Sequence, residues 1–300
     1  MRKFSYAISI VLCTLLSEKI NGQQEWGYGQ FAMNLFDSNL AYAGQHETAS
    51  FGLRHRQQWT GITGGPKSTF GSVHMPIAEN KIGVGLRLFN ESIGARVESM
   101  ILLGFAYRLR LKHATINFAL GSGVSRSGIN WESVSVRDSD DPQTTQWRND
   151  RWAPNFNAAV FYSKKNFYAG LEANHLGRYN FPNLSYQQKI HLKSLAGFHQ
   201  KVGKDDQLQS AALMRWVETG QLQWEANLMY LKNNRIGVGA GYRWKFGAIV
   251  LAQFHFSETL RAGINYDFST QATQHAYDGS FELFLGYTVK RDTNKSIRYL

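Results

Sequence analysis

The residues with the clearest capacity for chemistry are arginines that recur at alternate positions of short apolar segments. A guanidinium group is permanently charged, and its planar fork of N–H donors matches a carboxylate or a phosphate. Only four acids share this register, so the excess of arginine predicts a further acidic counterpart: a plug segment, a peptide carboxylate or a small anion. The acids are Glu172, Glu225, Asp267 and Glu282. The arginines, taken as tentative partner-binding residues, are Arg54, Arg56, Arg87, Arg108, Arg110, Arg215, Arg243 and Arg261.

Hydrolytic or metal chemistry has little comparable support. The sequence contains neither a G-x-S-x-G elbow nor an H-E-x-x-H pair. The acidic run Asp138–Asp141 offers carboxylates to Ca²⁺ but lacks the frame of an EF-hand loop. Isolated histidines and serines are scattered over distant segments, which disfavours a nucleophile and base in mutual reach. We therefore expect no catalytic residue, no metal site and no cofactor. The scattered candidates are His74, His191, His199 and Ser210.

The N-terminus has the pattern of a cleavable export signal. A basic start at 1–3 precedes an apolar stretch at 4–16, which is too short to span a membrane as a helix. A polar region ends at Gly22, so residues 1–22 are interpreted as a signal peptide. The single cysteine, Cys13, follows Leu12 instead of a small residue, which argues against lipidation. The mature chain then has no cysteine for a disulfide, a zinc site or a thiol nucleophile.

The charge balance is strongly basic, with a formal net charge of +11. Removing the signal, in which Arg2, Lys3 and Lys19 outnumber Glu18 by two charges, leaves +9. This excess indicates an anionic partner or a surface bearing lipopolysaccharide. Nucleic acid is not expected as a partner of an exported chain.

Fourteen segments alternate between apolar and polar residues with period two, the pattern of β-strands with unlike faces. The clearest is 236–245, where Ile236, Val238 and Ala240 alternate with glycines. Even-numbered connections are short and several odd-numbered ones are long, as in outer-membrane barrels whose two termini are periplasmic. A soluble β-sandwich would not predict this order of connections. The segments lie near 47–59, 67–76, 81–90, 97–111, 114–126, 153–163, 166–175, 189–201, 206–217, 220–232, 235–245, 247–256, 260–268 and 279–290.

The predicted fold is therefore all-β: a single transmembrane antiparallel β-barrel of fourteen strands in the outer membrane of a Gram-negative bacterium. Only a closed barrel satisfies every strand's backbone in lipid. The apolar register faces lipid and carries tyrosines and tryptophans such as Trp59 and Trp216 near strand ends. The register with the arginines lines the lumen. The predicted organisation is a signal peptide at 1–22, a periplasmic or plug-like segment at 23–46, the barrel at 47–290 and a periplasmic tail at 291–300.

An ordered set of short motifs runs from the segment before the first strand into the first strands. It begins with Y-G-Q-F-A-M-N at 28–34 and N-L-A-Y-A-G at 39–44, and continues with R-Q-Q-W-T-G-I at 56–62 and G-P at 65–66. In this order the chain resembles the PorP/SprF family of Bacteroidota outer-membrane proteins. Leu40, Phe31, Glu91 and Gly65 depart from the family's proline, tyrosine, aspartate and alanine. The main matching residues are Tyr28, Gln30, Asn34, Asn39, Tyr42, Gly44, Gln58, Trp59, Gly61 and Pro66.

The resemblance implies a non-enzymatic role in type IX secretion and gliding motility. By this resemblance, the protein binds the C-terminal domain of a large secreted adhesin, supports its export and anchors it on the cell surface. Type IX secretion components and outer-membrane lipid or lipopolysaccharide are the other implied partners. The segment 127–152, with acids and tryptophans such as Trp131 and Trp152, is a candidate contact loop.

An alternative function is compatible with the same residues. A fourteen-stranded barrel is wide enough for a channel or a plug. With a basic lumen, the chain is also interpretable as a transport barrel for a small anionic solute, in which the segment before the first strand serves as the plug.

Overall fold

The computed structural model describes residues 27–134, 150–179, 188–218, 220, 222–269 and 278–290. The predicted signal peptide (1–22) and C-terminal tail (291–300) lie outside this part of the chain, as do Asp138–Asp141 of the candidate contact loop. Among the described residues, no helix has the length and apolarity needed to cross a membrane.

Fourteen antiparallel strands pair in sequence order and close through β1 and β14 into one barrel. This confirms the predicted fold class and strand number, and each predicted segment overlaps one strand. Three short helices precede β1: a 3₁₀ turn at Phe31–Met33, α1 at Leu35–Ser38 and a second 3₁₀ turn at Leu40–Tyr42; a further 3₁₀ turn, Trp131–Ser133, follows β5. The strands are β1 (Ser50–Gln57), β2 (Lys67–Ile77), β3 (Ile82–Ile93), β4 (Arg96–Arg110), β5 (Thr115–Ile129), β6 (Arg151–Lys164), β7 (Phe167–Asn174), β8 (His191–Val202), β9 (Asp206–Val217), β10 (Gln223–Lys232), β11 (Ile236–Arg243), β12 (Gly247–His255), β13 (Leu260–Ser269) and β14 (Ser280–Thr288).

Strands β3 and β4 extend further than the sequence pattern predicted. They continue to Ile93 and from Arg96, joined by only Gly94 and Ala95. Gly94 has φ 56°, a left-handed conformation that glycine adopts without steric cost, so a tight turn closes this hairpin. The strand ends predicted near 90 and 97 are therefore too far apart, because the polar residues between them pair in the sheet.

Alternate residues of each strand face outward and inward, as the pleat requires. In β4, Ile101 and Leu103 are 50% and 54% exposed, whereas Leu102 between them is fully buried. The outward face is apolar because it meets lipid, whose hydrocarbon offers no partner for polar groups. The inward-facing residues, on the opposite register, therefore determine the chemistry of the barrel interior.

The two ends of the barrel differ. One end carries the start of β1, the end of β14 and the short connections 78–81, 165–166 and 233–235. The other end carries longer connections, among them 58–66 and 130–150. Because outer-membrane barrels place their termini and short turns in the periplasm, the second end faces the cell surface. We call it the outward end.

The segment before β1 lies inside the barrel; residues 27–46 are called the plug. It begins at the outward end, where Gly27 lies against the side chain of Arg215, and descends to β1 at Ser50. Plug residues Phe31, Phe36 and Leu40 are each at most 1% exposed and form the hydrophobic core with inward residues of β2 to β9. The barrel is therefore filled by its own N-terminal segment.

Glycines of the wall make room for the plug. A Cβ on Gly83 would overlap the carbonyl group of Ala43, and one on Gly104 would lie 2.5 Å from Cδ1 of Leu40. Backbone cannot move aside as a flexible side chain does, so Gly83 is the less replaceable of the two. Close approach of plug and wall thus depends on the absence of a side chain at this position.

We expect Gly83→Ala to destabilise the protein by about 1–3 kcal/mol, the usual cost of overpacking a filled interior. The plug should also become accessible to protease. Gly71→Ala in the neighbouring strand is the matched control, because the nearest atom to a Cβ at Gly71 would be Cβ of Leu88, at 3.9 Å. Urea unfolding in lipid vesicles and limited proteolysis measure both effects, and equal behaviour of the two variants would contradict this role of Gly83.

Candidate functional site

Arg54 on β1 is the centre of the contact between plug and wall. Its Nη1 donates to Oε1 of Glu282 on β14 at 2.8 Å, and its Nη2 donates to Oδ2 of Asp37 in α1 at 3.2 Å. Its guanidinium lies 4.7 Å from the ring centroid of Tyr28 and 5.1 Å from that of Phe284. The side chains of Arg54 and Glu282 have no exposed surface, so these charges depend on each other for stabilisation.

Glu282 extends this pairing to the plug main chain. Its carboxylate accepts hydrogen bonds from the backbone N–H groups of Gly29 and Gln30, at 3.0 and 3.3 Å. It also accepts from Arg56 at 3.2 Å. One carboxylate of the wall therefore serves two arginines and two plug amides.

A series of alternating charges continues from Arg56 towards the outward end. Asp267 accepts from Arg56 and, at 2.8 Å, from Nη1 of Arg243. Glu225 accepts from Nε of Arg243 at 2.6 Å and from Arg215 at 3.3 Å. Four arginines of the wall are thus balanced by Asp37 of the plug together with three wall acids.

A second ion pair holds the middle of the plug. Glu172 accepts from Nη1 of Arg87 at 2.6 Å and from the backbone N–H of Leu40 at 2.5 Å. Arg87 also donates to the carbonyl oxygen of Phe36, and its guanidinium lies 4.9 Å from the Phe36 ring centroid. Arg87 and Glu172 therefore bind backbone groups of the plug on both sides of Asn39.

Asn39 ties the plug to the sheet through both ends of its amide. Its Nδ2 donates to the carbonyl oxygens of Val160 and Leu171, at 3.1 and 3.0 Å. Its Oδ1 accepts from the N–H of Ala41 at 2.9 Å and so caps the second 3₁₀ turn. Any larger or non-amide side chain would lose one of these two functions.

The end of the plug is bound in the same way. Asn117 donates to the carbonyl of Ala41 at 2.9 Å, and Arg108 donates to the carbonyl of Gly44. The N–H of Gly44 donates to Nδ1 of His74 at 3.1 Å. These wall side chains therefore recognise peptide groups of the plug.

His46 closes the plug near the periplasmic end. Its ring stacks on His74 with centroids 5.6 Å apart, and its Nε2 is 3.5 Å from the Tyr42 hydroxyl. Burial, followed by the charges of Arg261 and Arg108, lowers the pKa of His46 from its usual value to about 3. His46 is therefore neutral in the folded protein at physiological pH.

The structure brings most of the predicted arginines into this interface, with two at its margin. Arg54, Arg56, Arg87, Arg215 and Arg243 are each at most 5% exposed and paired with acids. Arg108 contacts the plug backbone, and Arg261 lies 5.9 Å from the Phe284 ring. Arg110 is exposed at the periplasmic rim, where it donates to the carbonyl of Asn80 at 3.3 Å. Binding of an external partner by these eight residues stays a prediction.

A plug segment is one of the acidic counterparts that the excess of arginine predicts, but the sequence pattern does not single out its acid, Asp37. Asp37 lies outside every strand and was not counted with the lumenal charges, yet it accepts from Arg54, from Ser72 at 2.8 Å and from Asn34 at 2.7 Å. The signal available in the sequence was the spacing of Asn34 and Asp37 within a segment already interpreted as plug-like. Part of the apparent excess of arginine is met by this acid and by plug carbonyls.

The family-motif residues separate into two places. The motif residues of the plug are all buried in the lumen: Tyr28, Gln30, Asn34, Asn39, Tyr42 and Gly44. The others form the outward connection 58–66, where the N–H of Gln58 donates to the carbonyl of Pro66 at 2.8 Å. Trp59 and Gly61 there have positive φ values of 52° and 92°. Within the described residues, no group of three or more possible metal ligands is found.

The chain matches the model of a known family of membrane proteins. Residues 20–287, which include the plug and nearly all of the barrel, match the type IX secretion system membrane protein family PorP/SprF. The chain belongs to the PorP/SprF family. This confirms the predicted resemblance, and together with the closed barrel it indicates a protein of the Gram-negative outer membrane that is associated with type IX secretion. The family and the fold are those of secretion and transport proteins of membranes.

Solved structures show the same fold at low identity. The Pseudomonas putida toluene transporter TodX is 11% identical, with a TM-score of 0.50 over 88% of this chain and 94% of that one. The Ralstonia pickettii toluene transporter TbuX is 7% identical, with a TM-score of 0.50 over 83% of this chain and 90% of that one. At these identities the likeness concerns the barrel alone. The search among curated proteins found no match.

We expect Glu282→Gln to destabilise the protein strongly, by about 3–5 kcal/mol, because Arg54 and Arg56 would lose a buried charged partner. Glu98→Gln is the matched control: the Arg96–Glu98 pair has side chains 46% and 32% exposed, and such pairs contribute at most about 1 kcal/mol. Urea midpoints in lipid vesicles compare the two variants. A loss for Glu282→Gln no larger than that of the control would contradict the central role of this carboxylate.

His46 should make plug docking weaken on acidification. Its pKa in the folded state is below its unfolded value of about 6.5, so only the released or unfolded segment gains the proton as the pH falls. The stability contributed by neutral His46 is complete above about pH 6.5 and is lost progressively towards pH 3. His46→Gln should therefore flatten this part of the pH profile of the urea midpoint.

The exposed His55, which contacts Thr69, provides the control for that experiment. His55→Gln should leave the pH profile as in the unsubstituted protein. If His46→Gln also leaves it unchanged, His46 is not the group responsible.

Proposed function

We propose that the protein is an outer-membrane partner of the type IX secretion system that binds the C-terminal domain of a large secreted adhesin. In this role it supports export of the adhesin and anchors it on the cell surface, where it serves gliding motility. The adhesin domain, type IX secretion components and lipopolysaccharide are the proposed partners. Family membership supports the secretion part of this proposal.

The observation that carries the proposal is the occupation of the lumen by the plug. The plug is bound along its length, from Gly29 at Glu282 through Leu40 at Glu172 to Gly44 at Arg108. Such a barrel offers an anchor in lipid and a binding surface at its outward end. This favours a partner that docks on the barrel over a solute that passes through it.

The alternative, transport of a small anion, has less support. An anion path needs arginines that are open to the solute, whereas Arg54 and Arg87 are 1% and 2% exposed and paired with Glu282 and Glu172. A passing anion would have to displace these carboxylates from charge-assisted hydrogen bonds.

The test is affinity capture of the tagged protein from mildly solubilised outer membranes, followed by mass spectrometry. We expect one large adhesin-like protein, which should be lost when its own C-terminal domain is deleted. A cell lacking the tagged gene but carrying a tagged unrelated barrel gives the background of generic porins.

Planar-bilayer recording on the same preparation separates the two functions. We expect no steady conductance from the unsubstituted protein. Capture of only lipopolysaccharide and porins, together with an anion-selective current, would overturn the anchor function and favour transport.

A further inference from the structure

The exposed cations of the periplasmic end are concentrated on one side of its rim. Three consecutive connections, β2–β3, β4–β5 and β6–β7, carry five exposed cations with their flanking residues and one carboxylate, Glu79. The rest of this rim carries as many cations but also four carboxylates, Glu47, Asp205, Asp206 and Glu258. The five cations of the first side, called the basic sector, are Lys81, Arg110, Lys112, Lys164 and Lys165.

The three turns of the basic sector lie side by side. Arg110 donates to the carbonyl oxygen of Asn80 at 3.3 Å, which joins the first turn to the second. The hydroxyl groups of Thr115 and Ser163 are 2.7 Å apart and join the second turn to the third. Neighbouring strands are about 4.8 Å apart, so the arc from β3 to β7 is about 20 Å wide. Five positive charges therefore share a short stretch of the rim.

These charges are not neutralised by the protein. Within the described ranges of the chain, none of the five cations forms an ion pair. Cations gathered in this way raise the local electrostatic potential and attract anions. The basic sector is therefore a surface that favours an anionic ligand.

Lys165 is poorly suited to the turn that it occupies. Only Lys165 and Asn166 connect the paired ends of β6 and β7, and Lys165 has φ 51°. Turns of this kind favour asparagine, aspartate or glycine, because other side chains are uncommon in the left-handed conformation. The geometry of the turn thus gives no reason for a lysine, whereas the charge of the lysine adds to the basic sector.

The outward face of the barrel is apolar up to these cations. Tyr107, Leu109 and Leu111 alternate along the end of β4 and are all exposed. Lys112 directly follows Leu111, and Lys165 precedes the exposed Phe167 by two residues. Hydrocarbon-facing side chains and positive charges therefore adjoin at the rim. A ligand that matches both combines acyl chains with an anionic headgroup.

We propose that the basic sector binds the headgroup of an anionic phospholipid in the periplasmic leaflet of the outer membrane. The phosphate oxygens accept hydrogen bonds from the ammonium and guanidinium groups of the sector. The acyl chains lie along Leu109 and Leu111. Lipopolysaccharide belongs to the opposite leaflet, which leaves a phospholipid such as phosphatidylglycerol as the occupant. The site lies at the end away from the proposed adhesin and does not rest on that function.

The position of the cations favours a lipid over an acidic protein. The charges begin where the apolar face ends, so a headgroup reaches them while its acyl chains contact the wall. An acidic protein would bind the same charges only by displacing those headgroups. It would also leave the adjoining apolar surface to the lipid.

The first experiment compares two lipids with the same acyl chains, phosphatidylglycerol and zwitterionic phosphatidylcholine. Native mass spectrometry of the whole protein in detergent measures how strongly each is retained. We expect a preference of at least about tenfold for phosphatidylglycerol, because each Lys or Arg near an anionic lipid contributes about fivefold. Glycerol 3-phosphate and hexaglutamate, added separately, test a headgroup without acyl chains and an acidic peptide. Both should bind more weakly than phosphatidylglycerol.

Two variants with equal changes of charge test the location of the site. Replacing all five residues of the basic sector by Gln should abolish the preference for phosphatidylglycerol. The matched control replaces five cations elsewhere on the same rim by Gln and should retain the preference. These control positions are Lys201, Lys204, Lys232, Arg235 and Lys290.

Lys165→Asn separates lipid binding from folding. Asparagine suits the left-handed turn but has no charge, so the preference for phosphatidylglycerol should fall by about fivefold. The urea midpoint in phosphatidylcholine vesicles should not fall.

Several results would overturn the proposal. Equal retention of the two lipids would exclude a site for an anionic headgroup. Equal loss in the two fivefold variants would reduce the effect to net charge. Binding of glycerol 3-phosphate as tight as that of phosphatidylglycerol would indicate a phosphate site without a lipid. Tighter binding of hexaglutamate would assign the sector to an acidic protein. An unchanged preference in Lys165→Asn would contradict the part of this lysine in the site.

Discussion

The interior of this barrel depends on the burial of the Glu282 carboxylate. Arg54, Arg56 and two plug N–H groups all bind to it, and none of its side chain reaches solvent. Each partner is needed because a buried charge without its counter-ion is strongly destabilising. If the plug left the wall, these charges would become exposed or would lose their partners. The position of the plug is therefore part of the fold.

The packing around this interaction follows from the two different environments that the two faces of the barrel wall meet. The outward register meets hydrocarbon and is apolar, so the inward register takes the polar residues. The inward register also carries apolar residues on β2 to β9, and the plug completes a hydrophobic core with them. Phe36 lies against Gly85 and Leu40 against Gly104 and Gly121, so that large plug side chains face wall glycines. The main apolar core is thus built by plug and wall together.

This arrangement bears directly on function. Arginines that look available in the sequence are used to hold the plug, which leaves the outward end as the surface open to another molecule. There, the connection 58–66 is fixed by hydrogen bonds, and Arg243 links the buried carboxylates of Glu225 and Asp267. The same residues that seal the lumen therefore also shape the surface that faces the cell exterior.

The sequence by itself determined the fold class, the number of strands and the family. Those features depend on period-two alternation and on local motifs, which are readable without knowing any distant contact. It also determined which register carries the charges, because charge on the lipid side is too costly.

Only the tertiary structure decided what those charges do. The pairing of Arg54 with Asp37 and Glu282 joins residues that are 17 and 228 positions apart along the chain. Asn39 reaches the carbonyls of β6 and β7 only because the barrel closes around the plug. Such contacts depend on barrel closure and on the path of the plug, and no local pattern in the sequence records either of them.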